Sequence, residues 1–189
     1  GDGSLGGKAR GLAFLNNLVY KHRLSEQYPN IKVSIPRTVV IATDYFDQFI
    51  LENDLQYVID SEISDDEVLS EFVSSRLPED LVDQLRVFIE TARSPLAVRS
   101  SSKLEDSSYQ PFAGVYSTYM IPLVENKDQM LRMLGKAIKS VYASVFYGSS
   151  RTYIHTTANL LSEEKMAVVV QSICGSEHNG FYYPMVSGV

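Results

Sequence analysis

The stretch Leu96-Ala97-Val98-Arg99-Ser100-Ser101-Ser102 joins an apolar segment to one cation and a run of serines. The apolar residues predict a buried strand that ends at Arg99. An arginine presents a rigid fork of donors that matches phosphate oxygens, and neighbouring serines and loop N–H groups add neutral donors. Arg99 is therefore a candidate phosphate-binding residue. The alternative is an ion pair with Glu105 or Asp106 that only fixes the following loop.

The next segment is polar and rich in turn-forming residues, which predicts a loop over residues 100–111. Small residues continue to Gly114, and the alternating segment 114–120 then predicts a strand that contains Thr118. A loop of about a dozen residues in a compact domain is often functional. Between a cation and a strand, such a loop has the composition of a lid that closes over phosphates. A plain hairpin connection is the alternative.

Helices and strands surround this stretch without a regular β-α-β alternation. An amphipathic pattern predicts a long helix over residues 127–147. Apolar segments predict strands at 39–42 and 166–171, and the second of these is expected to pair with 181–183. The order of these elements indicates an α+β fold rather than a doubly wound parallel sheet.

Two helix starts are predicted from residues that cap helices. Ser64 followed by Glu67 is the pattern of a capping box, and Thr43 suits the N-cap of a helix rich in aromatic residues. Both helices are expected to serve as scaffold.

Length and composition are those of an ordinary soluble globular protein of 189 residues, 44% hydrophobic and 21% charged. They fit one domain over residues 1–189, or two sub-lobes at about 1–94 and 95–189.

The net charge of -6 and the dispersed acidic residues leave no basic stripe for nucleic acid. No apolar run reaches the roughly 18 residues of a membrane span and no signal segment is visible, so we expect a cytoplasmic protein without membrane contact. The single cysteine, Cys174, excludes an internal disulfide and is expected to be a buried thiol.

Two further residues are candidates for contact with a nucleotide. Lys8 follows Gly6 and Gly7 at the start of a predicted helix, where backbone N–H groups and an ammonium can hold the same phosphate. A flexible N-terminus with a solvated lysine is the alternative. Gln171 ends a predicted strand, where its side-chain amide can hydrogen-bond an adenine edge and the backbone beyond it can supply the rest. The three histidines lie at no metal-ligand spacing.

A set of motifs in a fixed order carries a family resemblance. These motifs are Gly6-Gly7-Lys8-Ala9-Arg10-Gly11-Leu12, Ile35-Pro36, Leu96-Ala97-Val98-Arg99-Ser100-Ser101 followed by Glu105-Asp106 and Phe112-Ala113-Gly114, Thr118-Tyr119, and Lys165-Met166-Ala167-Val168-Val169-Val170-Gln171. In this order the chain resembles the N-terminal nucleotide-binding (ATP-grasp) domain of the pyruvate phosphate dikinase and phosphoenolpyruvate synthase family. The similarity spans nearly the whole chain.

The resemblance implies the first lobe of an ATP-grasp-like domain, with a mixed sheet and packed helices. Such a domain binds Mg-ATP and passes a phosphoryl group to a histidine on a separate domain. Carried over by motif, Lys8 and Arg99 would hold the ATP phosphates, Gly114 and Thr118 would belong to the lid, and Gln171 would lie near the adenine. The implied partners are ATP, a phosphohistidine domain and a domain of the phosphoenolpyruvate/pyruvate type.

The chain also departs from the family pattern. It has Val115-Tyr116 where the family has Gln-Gln, and Phe181-Tyr182-Tyr183 in place of a strand of small residues. The family's acidic magnesium ligands come from the second half of the domain. We therefore expect a truncated domain whose metal ligands and catalytic residues lie elsewhere, and which is inactive alone.

The altered lid motivates an alternative from another class, a degenerate ATP-grasp module that acts as a nucleotide sensor or scaffold. A plain interaction domain is a third reading. In the enzyme, other domains would choose the phosphoryl acceptor, whether pyruvate, a glucan or another small molecule.

Overall fold

A four-stranded sheet backed by helices lies at the centre of the protein in the computed structural model, which describes residues 2–27, 30–31, 33–102, 116–156 and 165–187. The helices are α1 (Gly6–Lys21), α2 (Leu24–Gln27), α3 (Thr43–Glu52), α4 (Gln56–Asp60), α5 (Asp65–Ser74), α6 (Glu79–Glu90), α7 (Lys127–Ala143) and α8 (Gly148–Thr156). The strands are β1 (Thr38–Ile41), β2 (Leu96–Ser101), β3 (Thr118–Ile121), β4 (Ala167–Ser172), β5 (Ser176–His178) and β6 (Phe181–Tyr183). A short 3-10 turn, Ser144–Phe146, follows α7.

The strand order in the main sheet is β1-β4-β2-β3, and β5 and β6 form a separate hairpin. Every pairing among the described strands is antiparallel. The expected α+β class is confirmed, whereas the mixed sheet is wrong for the part of the chain that the structure describes. The ATP-grasp-like arrangement and the two sub-lobes stay predictions. β1, from the first half of the chain, pairs with β4 from the second half.

The two faces of the main sheet have different partners. Alternate residues of a strand point to opposite faces, so Leu96 and Val98 of β2 share one face with Val168 and Val170 of β4. These side chains belong to a buried apolar cluster that also holds the apolar residues of α3, α5, α6 and α7. Arg99 follows Val98 directly and therefore belongs to the opposite face.

The β5–β6 hairpin corrects two expectations from the sequence. β4 pairs with β1 on one edge and β2 on the other, so no edge of β4 remains for residues 181–183. These residues fold back on β5 through an Asn179-Gly180 turn in which both residues have positive φ, the geometry of a tight hairpin. Cys174 lies between β4 and this hairpin and is exposed, not buried, because the chain has left the core by then.

Of the two predicted helix starts, one is confirmed. Ser64 and Glu67 form both bonds of a capping box at the start of α5. Thr43 is the first helical residue of α3 and not its N-cap. Its hydroxyl instead accepts the N–H of Ser4 at 2.9 Å, and its N–H donates to the Ser4 carbonyl, which ties the N-terminal segment to α3. None of the helices in the described ranges is long and apolar enough to cross a membrane.

Five aromatic rings fill the core between the helices: Phe46, Phe49, Phe72, Tyr142 and Phe146. Neighbouring ring centroids lie 5.0 to 6.1 Å apart. Such pairs contribute about 0.5–1.5 kcal/mol each beyond the burial of their area. Tyr142 is fully buried, and its hydroxyl makes no hydrogen bond to any described residue. Burial raises the pKa of Tyr142, so the ring remains neutral.

We expect Tyr142→Phe to raise the free energy of unfolding by about 1 kcal/mol, because the desolvation cost of an unpaired hydroxyl disappears and the ring remains. Tyr45 provides the matched control. Its hydroxyl donates to the Asp80 carboxylate at 2.7 Å and accepts from the Gln84 amide at 2.8 Å. Tyr45→Phe should therefore lower the free energy by about 1 kcal/mol. Urea denaturation measures both, and equal losses would show that the Tyr142 hydroxyl is hydrogen-bonded.

Candidate functional site

The N-terminal helix α1 contacts the end of β2 through the backbone at Gly6. Gly6 has a φ of 68°, and a Cβ built there would lie 1.7 Å from the carbonyl oxygen of Ser101. Only glycine combines this left-handed backbone with so close an approach. The glycine-rich start of the chain therefore has a packing role in the structure.

The serine run after Arg99 holds α1 in place. The N–H of Gly7 donates to the Ser102 carbonyl at 3.1 Å, and the N–H of Ala9 donates to Ser101 Oγ at 3.2 Å. Ser101 Oγ in turn donates to the Leu5 carbonyl at 2.9 Å, and Ser101 and Ser102 are fully buried. The first N–H groups of a helix have no partner within the helix, and here Ser101 of β2 and the following Ser102 satisfy two of them.

These contacts give the Gly6-Gly7-Lys8 motif and the serine run after Arg99 a role that differs from the predicted phosphate contact. The N–H groups of Gly7 and Ala9 point into the protein, although the sequence pattern offered the first turn of this helix to a phosphate. Likewise, the Ser101 hydroxyl binds the helix. The local sequence carries no signal of this, because Ser101 lies 96 residues from Leu5 and 92 residues from Ala9.

Lys8 extends from the first turn of α1 to the same end of β2. Its ammonium nitrogen Nζ lies 3.0 Å from the Ser100 carbonyl oxygen and 3.1 Å from Ser100 Oγ. The side chain is half-buried, unlike a solvated lysine in a flexible terminus. Since Ser100 follows Arg99 directly, the fold brings two cationic residues to one end of one strand.

Arg99 lies on the face of the sheet that does not join the apolar core. The residue is half-buried, and its guanidinium makes no hydrogen bond or ion pair within the described residues. Glu105 and Asp106, the ion-pair partners in the alternative interpretation, lie outside the described residues. A guanidinium keeps its charge and five donors, so a partly buried one favours a site that receives an anionic acceptor.

Polar side chains from the other strands lie on the same face as Arg99. Thr118 of β3 is directly opposite Arg99 in the antiparallel register. On the other side Arg99 pairs with Val169, two residues before Gln171 on β4. Gln171 Nε2 donates to Thr38 Oγ1 of β1 at 2.9 Å. We call Thr38, Gln171, Arg99 and Thr118 the polar stripe, since it takes one residue from each strand of the main sheet.

Thr38 is a member of the polar stripe that the sequence did not single out. It begins β1 and contacts Gln171 only because β1 and β4 pair across 133 residues of sequence. The backbone beyond Gln171 is also placed differently from expectation: the N–H groups of Ser172 and Ile173 already donate to the carbonyls of Arg37 and Pro95. The amide oxygen of Gln171 accepts no hydrogen bond from the described chain.

Two parts of the predicted site fall outside this geometry. Gly114 and the preceding residues of the predicted lid, 107–113, lie outside the described residues, so the role of Gly114 stays a prediction. Across the ranges that the structure describes, no group of three His, Cys, Asp or Glu side chains is arranged to hold a metal ion.

An antiparallel sheet that carries the polar stripe, with α1 packed against the end of β2, is consistent with a nucleotide-binding domain. The family model described as "Pyruvate phosphate dikinase, AMP/ATP-binding domain" matches residues 2–189. The chain belongs to this family, and the resemblance seen in the motifs is confirmed.

A similar curated protein is named "Uncharacterized phosphotransferase YvkC" and comes from Bacillus subtilis (strain 168). It is 31% identical over 149 residues, which cover 79% of this chain and 17% of the relative. The chain therefore spans about a sixth of the length of the curated relative that it matches.

We expect Gly6→Ala to separate α1 from β2, because an added Cβ would overlap the Ser101 carbonyl and the left-handed backbone disfavours alanine. The free energy of unfolding should fall by at least about 2 kcal/mol. Gly11→Ala is the matched control in the same helix, where a Cβ meets nothing within 4 Å. It should be neutral or stabilising by about 0.5–1 kcal/mol. Urea denaturation distinguishes the two, and equal effects would contradict the close approach at Gly6.

Proposed function

We propose that this chain is the ATP-binding portion of a phosphoenolpyruvate synthase or pyruvate phosphate dikinase-like phosphotransferase. In this proposal the full-length protein is an ATP-dependent dikinase that moves a phosphoryl group from ATP to a histidine on another domain. The half-buried guanidinium of Arg99 is the observation that carries it. That guanidinium lies on the non-core face of the sheet without an acceptor among the described residues.

Arg99 and Lys8 hold the phosphates in complementary ways. The planar guanidinium of Arg99 gives two parallel hydrogen bonds to one phosphate group, while the ammonium of Lys8 adds a compact positive charge. The contact of Lys8 with Ser100 supports this, because it holds that charge beside the strand that carries Arg99. Phosphoryl transfer depends mainly on positioning and on neutralising the phosphate charge, which are the tasks these residues perform.

Thr118 and Gln171 orient the two ends of the nucleotide. Thr118 lies across from Arg99 and donates its hydroxyl to a phosphate oxygen under the lid, to which Gly114 also belongs. Gln171 lies on the other side of Arg99, toward β1, and marks the adenine side. Its Nε2 is engaged by Thr38, and its amide oxygen is the natural acceptor for the adenine amino group.

The remaining parts of the reaction belong to the rest of the full-length protein. We place the magnesium carboxylates, the phosphohistidine domain and the phosphoenolpyruvate/pyruvate-type domain there, and the protein itself in the cytoplasm. The chain alone is catalytically inactive in this proposal. The competing function is a degenerate module that senses a nucleotide or serves as a scaffold, and the choice of phosphoryl acceptor belongs to the other domains.

Arg99→Ala in the full-length protein should weaken Mg-ATP binding about tenfold to a hundredfold, because a charge-assisted phosphate contact contributes roughly 1.5–3 kcal/mol. Arg86→Ala is the control, since Arg86 is an exposed cation paired with Asp128 on the helical side. It should leave the dissociation constant within about twofold. Calorimetric titration measures both. Tight binding that is unchanged in Arg99→Ala moves the phosphate site elsewhere, and wild-type protein that binds no ATP favours the degenerate scaffold.

Gln171→Leu should separate recognition of the base from recognition of the phosphates. We expect it to weaken ATP binding about threefold to tenfold, the value of a neutral hydrogen bond, and to leave the binding of tripolyphosphate unchanged. Arg99→Ala should weaken the binding of both ligands. Thr38→Val removes the hydroxyl that Gln171 contacts but keeps the Gln171 amide. It therefore controls for loss of the hydrogen bond between the two side chains. If Gln171→Leu weakened tripolyphosphate equally, Gln171 would not lie on the adenine side.

A further inference from the structure

A cavity of about 750 Å³ opens among the end of α5, α6 and α7. Leu77, Val82, Leu85 and Leu131 provide its apolar lining. α7 packs against the face of the sheet opposite the polar stripe, so this cavity is separate from the proposed nucleotide site. Its volume is within the range of pockets that enclose small organic ligands.

The cavity has a strongly basic lining. Arg76, Arg132, Lys136 and Lys139 are four cations around it, with Glu79 as the one carboxylate among its lining residues. The protein as a whole carries a net charge of -6, so this local excess of positive charge runs against its composition. The side chains of Arg76, Arg132 and Lys136 make no hydrogen bond or ion pair within the part of the chain that the structure describes.

Lys139 is a fixed cation in the wall of the cavity. Its ammonium donates to the carbonyls of Val73 and Ser75 at the end of α5, the second at 2.9 Å. These carbonyls have no partner within the helix, so a cation is favourable there. The ammonium has a third N–H, and no described residue accepts it. Partial burial lowers the pKa of Lys139, and an anion in the cavity would act in the opposite direction.

Gly135 forms bare backbone in the cavity lining, in the interior of α7. A mid-helix glycine weakens a helix relative to alanine. Packing does not require it here, because an added Cβ would meet only Leu77 Cδ1, at an ordinary 3.6 Å. An added side chain would therefore extend toward Leu77, another residue of the cavity lining.

We propose that this cavity binds a small amphipathic anion, with its apolar body between α6 and α7 and its anionic head among Arg76, Arg132, Lys136 and Lys139. The apolar lining accounts for the body, and the four cations of the lining account for the head. The long stems of these cations also add apolar wall beneath their charged ends. The ligand site is independent of ATP binding, since the sheet separates it from Arg99.

The test uses decanoate as the probe, titrated calorimetrically into the full-length protein below its micelle concentration. Wild-type protein should bind decanoate at one site, and more weakly as salt increases. Two variants alter the cavity in different ways. Gly135→Leu fills its volume, and Arg132→Glu/Lys136→Glu reverses the charge of its lining. Each should weaken decanoate binding at least tenfold. Lys21→Glu/Lys127→Glu makes the same change in net charge away from the cavity and should stay within twofold of wild type.

Two further measurements make the outcome decisive. Gly135→Leu should melt at or above the wild-type temperature, because leucine favours a helix more than glycine does, so lost binding would not reflect unfolding. ATP binding should be unchanged in both cavity variants. The proposal is overturned if wild type does not bind decanoate, if the cavity variants bind it as tightly as wild type, or if decyltrimethylammonium binds equally well. It is also overturned if Arg99→Ala abolishes decanoate binding, which would place the probe on the polar stripe.

Discussion

The approach of Gly6 to the Ser101 carbonyl is the contact on which the rest of the candidate site depends. Because no side chain fits between them, α1 lies directly against the end of β2. The buried serines then satisfy N–H groups of the first helical turn, which would otherwise lack partners. The same placement carries the ammonium of Lys8 to Ser100, the residue that follows Arg99 on β2.

Because side chains alternate along β2, one face of this strand joins the apolar core and the other carries Arg99. Val98 is fully buried in the apolar core, and Arg99, the next residue, is half-buried on the opposite face. β2 is one of the two inner strands of the main sheet, so its backbone is held on both sides. Arg99 therefore lies on a strand that is paired along both edges. The helices on the core face of the sheet form a chemically different site, the basic cavity beside Gly135.

Patterns within a few residues predicted local structure well. The capping box at Ser64 is confirmed. The α+β class, inferred from the order of helices and strands, and the family, inferred from the order of motifs, are also confirmed. Expectations that depended on which distant segment a residue contacts were less successful. Residues 181–183 do not pair with β4, because both of its edges are occupied. Thr43 has the chemistry of an N-cap, but its hydroxyl is used by Ser4, a contact between segments that a local pattern does not contain.

The sequence by itself determined which residues have the chemistry for a phosphate or an adenine, namely Lys8, Arg99, Thr118 and Gln171, because side-chain type and position on a strand or helix are local properties. Only the tertiary structure decided that three of these share one face with Thr38, and that the serines after Arg99 bind α1. Strand order and the docking of α1 join residues roughly ninety to 130 positions apart. Such contacts arise from the packing of whole elements, which no short stretch of sequence specifies.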